Sequence, residues 1–292
     1  MKRQLGVWVL VCVLSGIVFS QTAFAAAAKK TGTTDAAAKI NASGGKKKNQ
    51  NKWVCKKKVW YYYGPDGKKC KGLCRIGKKK YYFNGKGQQL TGWRKIGKSF
   101  YRFRLGGGKT GYMLTKKVID CIPLGKNGKA VLKKSRLKRK AKVLAAYAEW
   151  VDSIVKPGMS YREKMRACYD YLRKERKYIH GPDFRYDDPD WDLYYAEEAL
   201  QEEVAHDCYP SAAALAYMAR SIGYENVEIC INKEHGFVKV HEQLYDVPFG
   251  RRYDMNGYSQ FAFPVGDEYH RYFLARDIMT DKTYHYEINS DS

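Results

Sequence analysis

Apolar and polar positions change their spacing along the chain, and each spacing predicts a different kind of structure. An unbroken apolar stretch covers 5–19. Short aromatic runs separated by glycine-containing turns fill 53–131, a pattern typical of β-hairpins. From 135 onward, apolar residues first recur every three or four positions and later alternate with polar ones. The chain is therefore expected to hold an all-β segment followed by an α+β domain over 135–292.

The all-β segment contains an internal repeat. The aromatic run at 60–63 recurs at 80–83 and 100–103, and an Ile-Gly-Lys turn recurs at the same offset of 20 residues. Each unit therefore predicts one hairpin. A single hairpin is marginally stable in water, so the predicted hairpins must stack on one another.

Helices are predicted to open the C-terminal domain. The first covers 137–155, where apolar residues share one face. Ser160 followed by Glu163 is a capping-box pattern, which predicts a second helix running to about Tyr178. A shorter helix is expected at 193–204.

Charge divides the chain near the same boundary. Residues 26–142 hold 35 Lys or Arg and three acidic residues, whereas 143–292 hold 17 basic and 27 acidic residues. The net charges of the two parts are therefore +32 and −10. Such asymmetry predicts a polyanionic partner for the first part only. An exported protein meets anionic wall polymers before it meets nucleic acid, so no nucleic-acid partner is expected.

The N-terminus predicts export. A positively charged start precedes the apolar stretch, and Ala-Phe-Ala at 23–25 is a cleavage pattern, so 1–25 is interpreted as a signal peptide. An uncleaved anchor is the alternative, but the stretch is shorter than the ~20 residues that span a bilayer. No membrane partner is expected after cleavage. Residues 26–52 have almost no large apolar side chain and predict a disordered basic linker.

The run over 53–131 resembles the cell-wall-binding repeats of choline-binding and glucan-binding surface proteins, which repeat Gly-Trp, Ile-Gly-Lys and Tyr-Tyr-Phe in this order. The resemblance implies location at the cell wall or cell surface of a Gram-positive bacterium. It also implies that aromatic side chains bind the wall ligand. The candidates are Trp60, Tyr62, Tyr82, Trp93, Tyr101 and Tyr112.

The lysines change the expected ligand. A choline cage needs several aromatic faces, and only Gly92-Trp93 keeps the tryptophan of the repeat. The many lysines favour an acidic polymer, or a glycan stacked on tyrosine. The expected partner is therefore a cell-wall polysaccharide or a teichoic-acid-like polyanion, and a rigid spacer without a ligand is the alternative.

Cys208 stands where a helix is expected to begin. Pro210 suits the first turn of a helix, and Gly223 suits its end. At such a position, unpaired backbone N–H groups and the helix dipole favour a thiolate, which is the nucleophilic form. Cys208 is therefore the candidate nucleophile.

Two predicted strands after this helix carry a histidine and an aspartate. His235 precedes the alternating run at 236–240, and Asp246 lies in the run at 244–247. Pairing of 237 with 246 would put both side chains on one face, whereas a slip of one residue would separate them. The sequence leaves this register open. No metal or other cofactor is expected, because no usual ligand spacing is present.

Asp207-Cys208-Tyr209 before a small-residue helix, followed by His-Gly-Phe-Val-Lys-Val and Tyr-Asp-Val, resembles the transglutaminase-like superfamily. The resemblance covers about 140–292 and implies a papain-like α+β fold. It implies that Cys208 is the nucleophile, His235 the general base and Asp246 the residue that orients the imidazole. The side-chain donors to the oxyanion are expected among Trp191, Tyr194 and Tyr195.

The expected function is that of a secreted, wall-associated cysteine enzyme that transfers acyl groups from peptide or glutamine amide bonds of a peptide or protein substrate. Peptidase or amidase action is favoured over protein crosslinking. A non-catalytic adhesin or wall scaffold is the alternative. Seven cysteines remain after signal removal, an odd number, so their disulfide state stays open.

Overall fold

The computed structural model describes residues 50–175, 184–185, 188–201, 207–232, 235–247, 261–264 and 272–286. All of them belong to one compact unit, Lys47–Ser292. The predicted signal peptide and nearly all of the predicted linker lie outside the described residues. None of the helices in the described ranges is long and apolar enough to cross a membrane.

Antiparallel hairpins form the N-terminal part of this unit. They are β1 (Lys52–Lys56) with β2 (Val59–Tyr63), β3 (Gly72–Ile76) with β4 (Lys79–Phe83) and the short β5 (Gln89–Leu90), β6 (Gly92–Ile96) with β7 (Ser99–Phe103), and β8 (Val118–Ile119) with β9 (Ile122–Pro123). The register repeats with the sequence, because Lys52, Gly72 and Gly92 pair with residues that are also 20 apart. The all-β repeat is confirmed.

The hairpin turns explain the repeated glycine. Gly77 and Gly97 have φ angles of 59° and 58°, in the left-handed region that glycine enters without steric cost. In the first repeat Lys57 takes this place with a φ of 47°. In that first turn Lys58 also has a positive φ, of 63°, whereas Lys78 and Lys98 do not have a positive φ, so the first turn differs from the other two in backbone conformation.

Four helices lie in the described C-terminal residues: α1 (Ser135–Ile154), α2 (Tyr161–Glu175), α3 (Trp191–Ala199) and α4 (Cys208–Ile222). The capping box is confirmed, since Ser160 N donates to Glu163 Oε2 at 2.6 Å and Glu163 N donates to Ser160 Oγ at 3.3 Å. Helix α3 begins and ends earlier than predicted. Residues 176–183, where α2 was expected to end, lie outside the described residues.

The six later strands of the described residues form one antiparallel sheet. They are β10 (Val227–Ile231), β11 (Gly236–Val240), β12 (Gln243–Tyr245), β13 (Phe261–Pro264), β14 (Leu274–Asp277) and β15 (Lys282–His285), in the order β13-β12-β11-β10-β14-β15. Helix α4 packs on β10 and β11. Its buried alanines at 212–214 and 216 keep that contact close. The α+β class of the C-terminal part is confirmed.

The hairpins and the C-terminal helices share one hydrophobic core. Trp93 and Phe100 belong to the same buried cluster as α1 and α4. The Trp93 indole N–H donates to Asp120 Oδ2 at 2.7 Å, and Arg220 of α4 donates from Nε to Asp120 Oδ1 at 2.6 Å. Arg94 forms an ion pair of 2.7 Å with Asp152 of α1. The third hairpin is thereby joined to the helices by apolar packing, by the ion pair of Arg94 with Asp152 and by the Trp93 indole, which shares the Asp120 carboxylate with Arg220.

We expect Trp93→Ala to destabilise the whole unit strongly. The side chain is 3% exposed, so its removal leaves a cavity and deprives the buried Asp120 carboxylate of a donor. The expected loss is about 3–5 kcal/mol in the free energy of unfolding, measured by urea titration. Leu73 occupies the equivalent repeat position and is 40% exposed, so Leu73→Ala should cost less than about 0.5 kcal/mol. Equal losses in the two variants would contradict the shared core.

Candidate active site

Cys208 is the first residue of α4, as predicted. Asp207 caps this end, since its Oδ1 accepts a hydrogen bond from Tyr209 N at 3.0 Å. Pro210 lies in the first turn, where the N–H that proline lacks has no helical partner in any case. At the other end Gly223 has a φ of 123° and donates from N to Ala219 O. The helix therefore holds the thiol at the end where backbone N–H groups favour an anion.

His235 and Asp246 meet across the pairing of β11 with β12. Val238 pairs with Tyr245, which continues to the alignment of 237 with 246. Of the two registers that the sequence left open, this one puts the two side chains on one face. His235 Nε2 lies 2.6 Å from Asp246 Oδ2, and the Asp246 side chain is fully buried. Asp246 O also accepts a hydrogen bond of 2.9 Å from the Tyr169 hydroxyl, which fixes the backbone of this residue.

The imidazole of His235 bridges the carboxylate and the thiol. Burial lowers its pKa, but hydrogen bonds to Asp246 and to Cys208 outweigh burial and raise the pKa to about 10. Because Nε2 faces Asp246, Nδ1 is the nitrogen left for the thiol. The His235 side chain is 23% exposed, whereas Cys208 is 3% exposed, so solvent reaches the pair from the imidazole side. The structure thus brings all three predicted triad residues together.

Gly236 explains how β11 comes so close to the start of α4. A Cβ atom at this position would lie 2.9 Å from Tyr209 Cδ1 and 3.4 Å from Cys208 O. Contacts under 3.0 Å do not occur for real Cβ atoms, so a side chain here would push the strand away from the helix. The absence of a side chain therefore sets the distance between His235 and Cys208.

The three predicted oxyanion donors lie on α3, beside the aromatic residues that follow Cys208. The Tyr195 ring is 5.5 Å from the Tyr209 ring, and the Tyr195 hydroxyl accepts a hydrogen bond from Arg185 N. Trp191 is buried under the guanidinium of Arg276. Tyr194 is half-buried, and the Arg185 guanidinium lies 3.9 Å above its ring. Tyr195 is therefore the one of the three that packs directly on a neighbour of the nucleophile.

Sequence reasoning missed two residues near Cys208. Phe184 contacts the rings of Trp191, Tyr195 and Tyr209 at 5.1–5.8 Å and thereby joins α3 to the start of α4. No periodicity of apolar residues marks it in the sequence. Asp207 was detectable, since an aspartate directly before a predicted helix is a preferred N-cap.

Two other cysteines of this domain differ from Cys208 in their surroundings. Cys168 and Cys230 are fully buried, as expected for small apolar residues. Burial raises the pKa of the Cys168 thiol to about 12 and that of Cys230 well above its ordinary value. Among these three cysteines, only the Cys208 thiol forms a hydrogen bond with a histidine, which is His235. All seven cysteines from Cys55 onward are free thiols in the structure.

The predicted wall-ligand residues divide into two groups. Trp93 and Tyr101 are 3% and 8% exposed, so a polymer has no access to them. Trp93 serves the core instead, because its position in the repeat faces α1. The remaining four are partly exposed: Trp60, Tyr62, Tyr82 and Tyr112.

Trp53 was missed as the tryptophan of the first repeat. It pairs with Tyr62, in the same register in which Trp93 pairs with Arg102, so it stands two periods before Trp93. The statement that only Trp93 keeps the repeat tryptophan was therefore wrong, and the offset of 20 could have corrected it. Trp53 contacts four aromatic rings with centroids 4.9–6.4 Å away: Trp60, Tyr62, Tyr81 and Phe83.

Comparison with known proteins identifies the repeat. Residues 51–69 match the family described as "Putative cell wall binding repeat". The chain is similar to the choline-binding domain of a Streptococcus pneumoniae protein. The two are 25% identical, the similar region covers 27% of this chain and 92% of that chain, and the TM-score is 0.24. Choline-binding protein F from the same organism is 26% identical over a region that covers 27% of this chain and 26% of that chain, with a TM-score of 0.25.

A third similar structure is the modular Cpl-1 endolysin bound to a peptidoglycan analogue. It is 23% identical over a region that covers 30% of this chain and 26% of that chain, with a TM-score of 0.23. The chain thus spans about a quarter of the length of the last two proteins. No curated protein matches the chain. The family match at 51–69 confirms a cell-wall-binding repeat in the N-terminal part.

Proposed function

We propose that this protein is a secreted, wall-associated cysteine enzyme that transfers an acyl group from a peptide or glutamine amide. The arrangement of Cys208, His235 and Asp246 carries this proposal. A nucleophile at a helix start, a base within hydrogen-bond reach and a buried acid behind the base are the three parts that such chemistry requires.

The fold supports a papain-like, transglutaminase-like interpretation of the C-terminal part. A helix that begins with the cysteine packs on an antiparallel sheet, and the histidine and aspartate come from two adjacent strands of that sheet. The order Cys, His, Asp along the chain agrees with the resemblance in sequence.

The proposed reaction uses the three groups in turn. His235 accepts the Cys208 proton, and the thiolate attacks the carbonyl carbon of the amide. The Cys208 backbone N–H and a side-chain donor, for which Tyr195 is the best placed candidate, then stabilise the oxyanion. When the tetrahedral intermediate that carries this oxyanion collapses to the thioester, the C–N bond breaks and the imidazolium gives its proton to the departing amine. Attack on the thioester by water, with His235 as base, releases the acid and restores the thiol.

Asp246 keeps the imidazole in the required orientation. Its carboxylate accepts a hydrogen bond from the Nε2–H group, which leaves Nδ1 directed toward the sulfur. It also stabilises the imidazolium that forms when Cys208 ionises. Asp246 is therefore a positioning residue, and we assign it no contact with substrate.

Attachment to the wall of a Gram-positive bacterium is supported by the repeat at 51–69 and by the basic surface of the hairpins. The third hairpin packs on α1 and shares one buried core with α4, the helix that begins at Cys208. The enzyme would therefore act on peptides near the polymer that it binds, and we propose hydrolysis as its main outcome.

A product assay tests the reaction type. We would incubate the mature chain with peptides that contain internal amide bonds and glutamine side chains, with and without a fluorescent primary amine. We expect new termini or released ammonia in both conditions and incorporation of the amine as the minor product. Predominant amine incorporation would identify a crosslinking enzyme. No product from any peptide would favour a non-catalytic wall scaffold.

A further inference from the structure

The aromatic rings of the repeats that were candidates for the wall ligand pack against other groups of the protein, although four of the six remain partly exposed. The Trp60 ring lies so close to Gly107 that a side chain at position 107 would not fit. The rings of Trp60 and Trp53 meet edge to face. Tyr62 packs against Trp53 at 5.2 Å, and Tyr82 stacks on Phe103 at 5.8 Å. Trp93 and Tyr101 are buried, as described above.

Two further rings carry lysine ammonium groups of the same chain. Lys79 Nζ lies 3.6 Å from the centroid of Tyr112, and Lys69 Nζ lies 4.2 Å from the centroid of Tyr61. A cation within about 6 Å of a ring centroid is attracted by the negative face of the ring. These lysines therefore occupy positions that a quaternary ammonium would need.

Almost all charged groups exposed on the hairpins are cationic. Nineteen lysines between Lys52 and Lys134 are exposed, whereas the acids of this segment are the exposed Asp66 and the buried Asp120. Asp120 is paired with Arg220, so it neutralises none of the exposed charge. Three of the lysines, Lys58, Lys78 and Lys98, follow the period of 20 at the hairpin turns.

We propose that the hairpins bind a linear polyanion of the wall, through lysines repeated at their turns, and that they do not accept choline. This inference rests on the wall attachment in the proposed function and names the ligand class. The exposed ammonium groups are opposite in charge to the phosphates of a phosphodiester polymer, and Lys69 and Lys79 cover the faces of Tyr61 and Tyr112 that would otherwise be open to a quaternary ammonium.

Binding of labelled long-chain polyphosphate to the mature full-length protein tests the inference, with choline chloride as competitor. We expect the affinity to fall about tenfold or more between 50 and 200 mM NaCl, because released counterions drive such binding. Choline chloride should weaken binding no more than NaCl of equal concentration. Saturable, salt-resistant choline binding would overturn the inference but leave wall attachment intact. If neither probe bound, the wall attachment itself would be contradicted.

Matched variants locate the site. The triple replacement of Lys58, Lys78 and Lys98 by Gln should weaken polyphosphate binding about tenfold or more and reduce its dependence on salt. Replacement of the exposed lysines outside the hairpins, Lys156, Lys174 and Lys282, by Gln makes the same change in net charge. That control should bind within about twofold of the unaltered protein. Equal losses in both triple variants would show that net charge alone acts, and would overturn the inference.

Discussion

Replacing Cys208 with alanine is expected to lower kcat for amide cleavage by about 10⁵-fold or more, since no other group can form the thioester. The fold should survive, because the change removes one sulfur atom at a helix end and leaves the Asp207 cap in place. We expect a change of about 1 kcal/mol in the free energy of unfolding. Initial rates on the best peptide of the panel, together with urea unfolding, measure both effects.

Cys230→Ala is the matched control for this prediction. Cys230 is fully buried beside Phe237, Leu244 and Ala275, on the strand next to His235. The same atom is removed, but the sulfur has no part in the proposed reaction. We expect kcat within about twofold of the unaltered enzyme. Retention of activity by Cys208→Ala, or an equal loss in Cys230→Ala, would remove Cys208 as the nucleophile.

Asp246→Asn is expected to lower kcat by about 10⁴-fold, because an amide can donate to Nε2 and stabilise the wrong imidazole tautomer. The hydrogen bond with Asp246 is one cause of the raised pKa of His235, so its loss should lower that pKa. His235 then loses its proton at a lower pH. The alkaline limb of the pH–rate profile should therefore shift toward lower pH.

The shift of the pH profile separates positioning from a structural role. Asp277→Asn provides the control, because Asp277 lies in the same sheet and accepts hydrogen bonds from Met279 N and Thr280 Oγ1, away from the triad. Asp277→Asn should leave the pH profile unchanged. A profile of Asp246→Asn with the same alkaline limb as the unaltered enzyme would contradict the assigned role of Asp246.

Local patterns predicted the elements well, because the signals lie within a few residues of one another. The period of 20 fixed the hairpins and their register, and the capping box at Ser160 located the start of α2. The start of α4 followed from Cys208 and Pro210. In each case the interactions that form the element join residues close in sequence.

Contacts between distant segments could not be predicted in the same way. The register of β11 and β12 decides whether His235 meets Asp246, and alternation alone permits two answers. Trp93 has the signature of a ligand-binding repeat, yet its indole donates to Asp120 beside Arg220, 127 residues further along the chain. Phe184 contacts three other aromatic side chains from a segment without periodicity. These outcomes depend on tertiary packing, which residue spacing does not encode.

Ion pairs join the basic first part of the chain to the acidic second part. A polyanionic partner was expected for the basic first part only, and the structure adds ion pairs across the boundary, since Arg94 pairs with Asp152 and Asp120 pairs with Arg220. Opposite charges at the junction therefore help to hold the two parts in one core, while the exposed lysines remain available to a polyanion. The third hairpin and α4, which begins at Cys208, thus lie in one compact unit with a shared core.

The reactivity of one sulfur tests the central claim most directly. The rate of alkylation of Cys208 by iodoacetamide should be measured between about pH 5 and pH 9 in the unaltered protein and in His235→Ala, with modified cysteines identified by mass spectrometry. We predict rapid modification of Cys208 at about pH 6, where the raised pKa keeps His235 protonated, and a loss of about tenfold or more in His235→Ala. Equal rates in the two proteins would contradict a thiolate held by the imidazolium of His235.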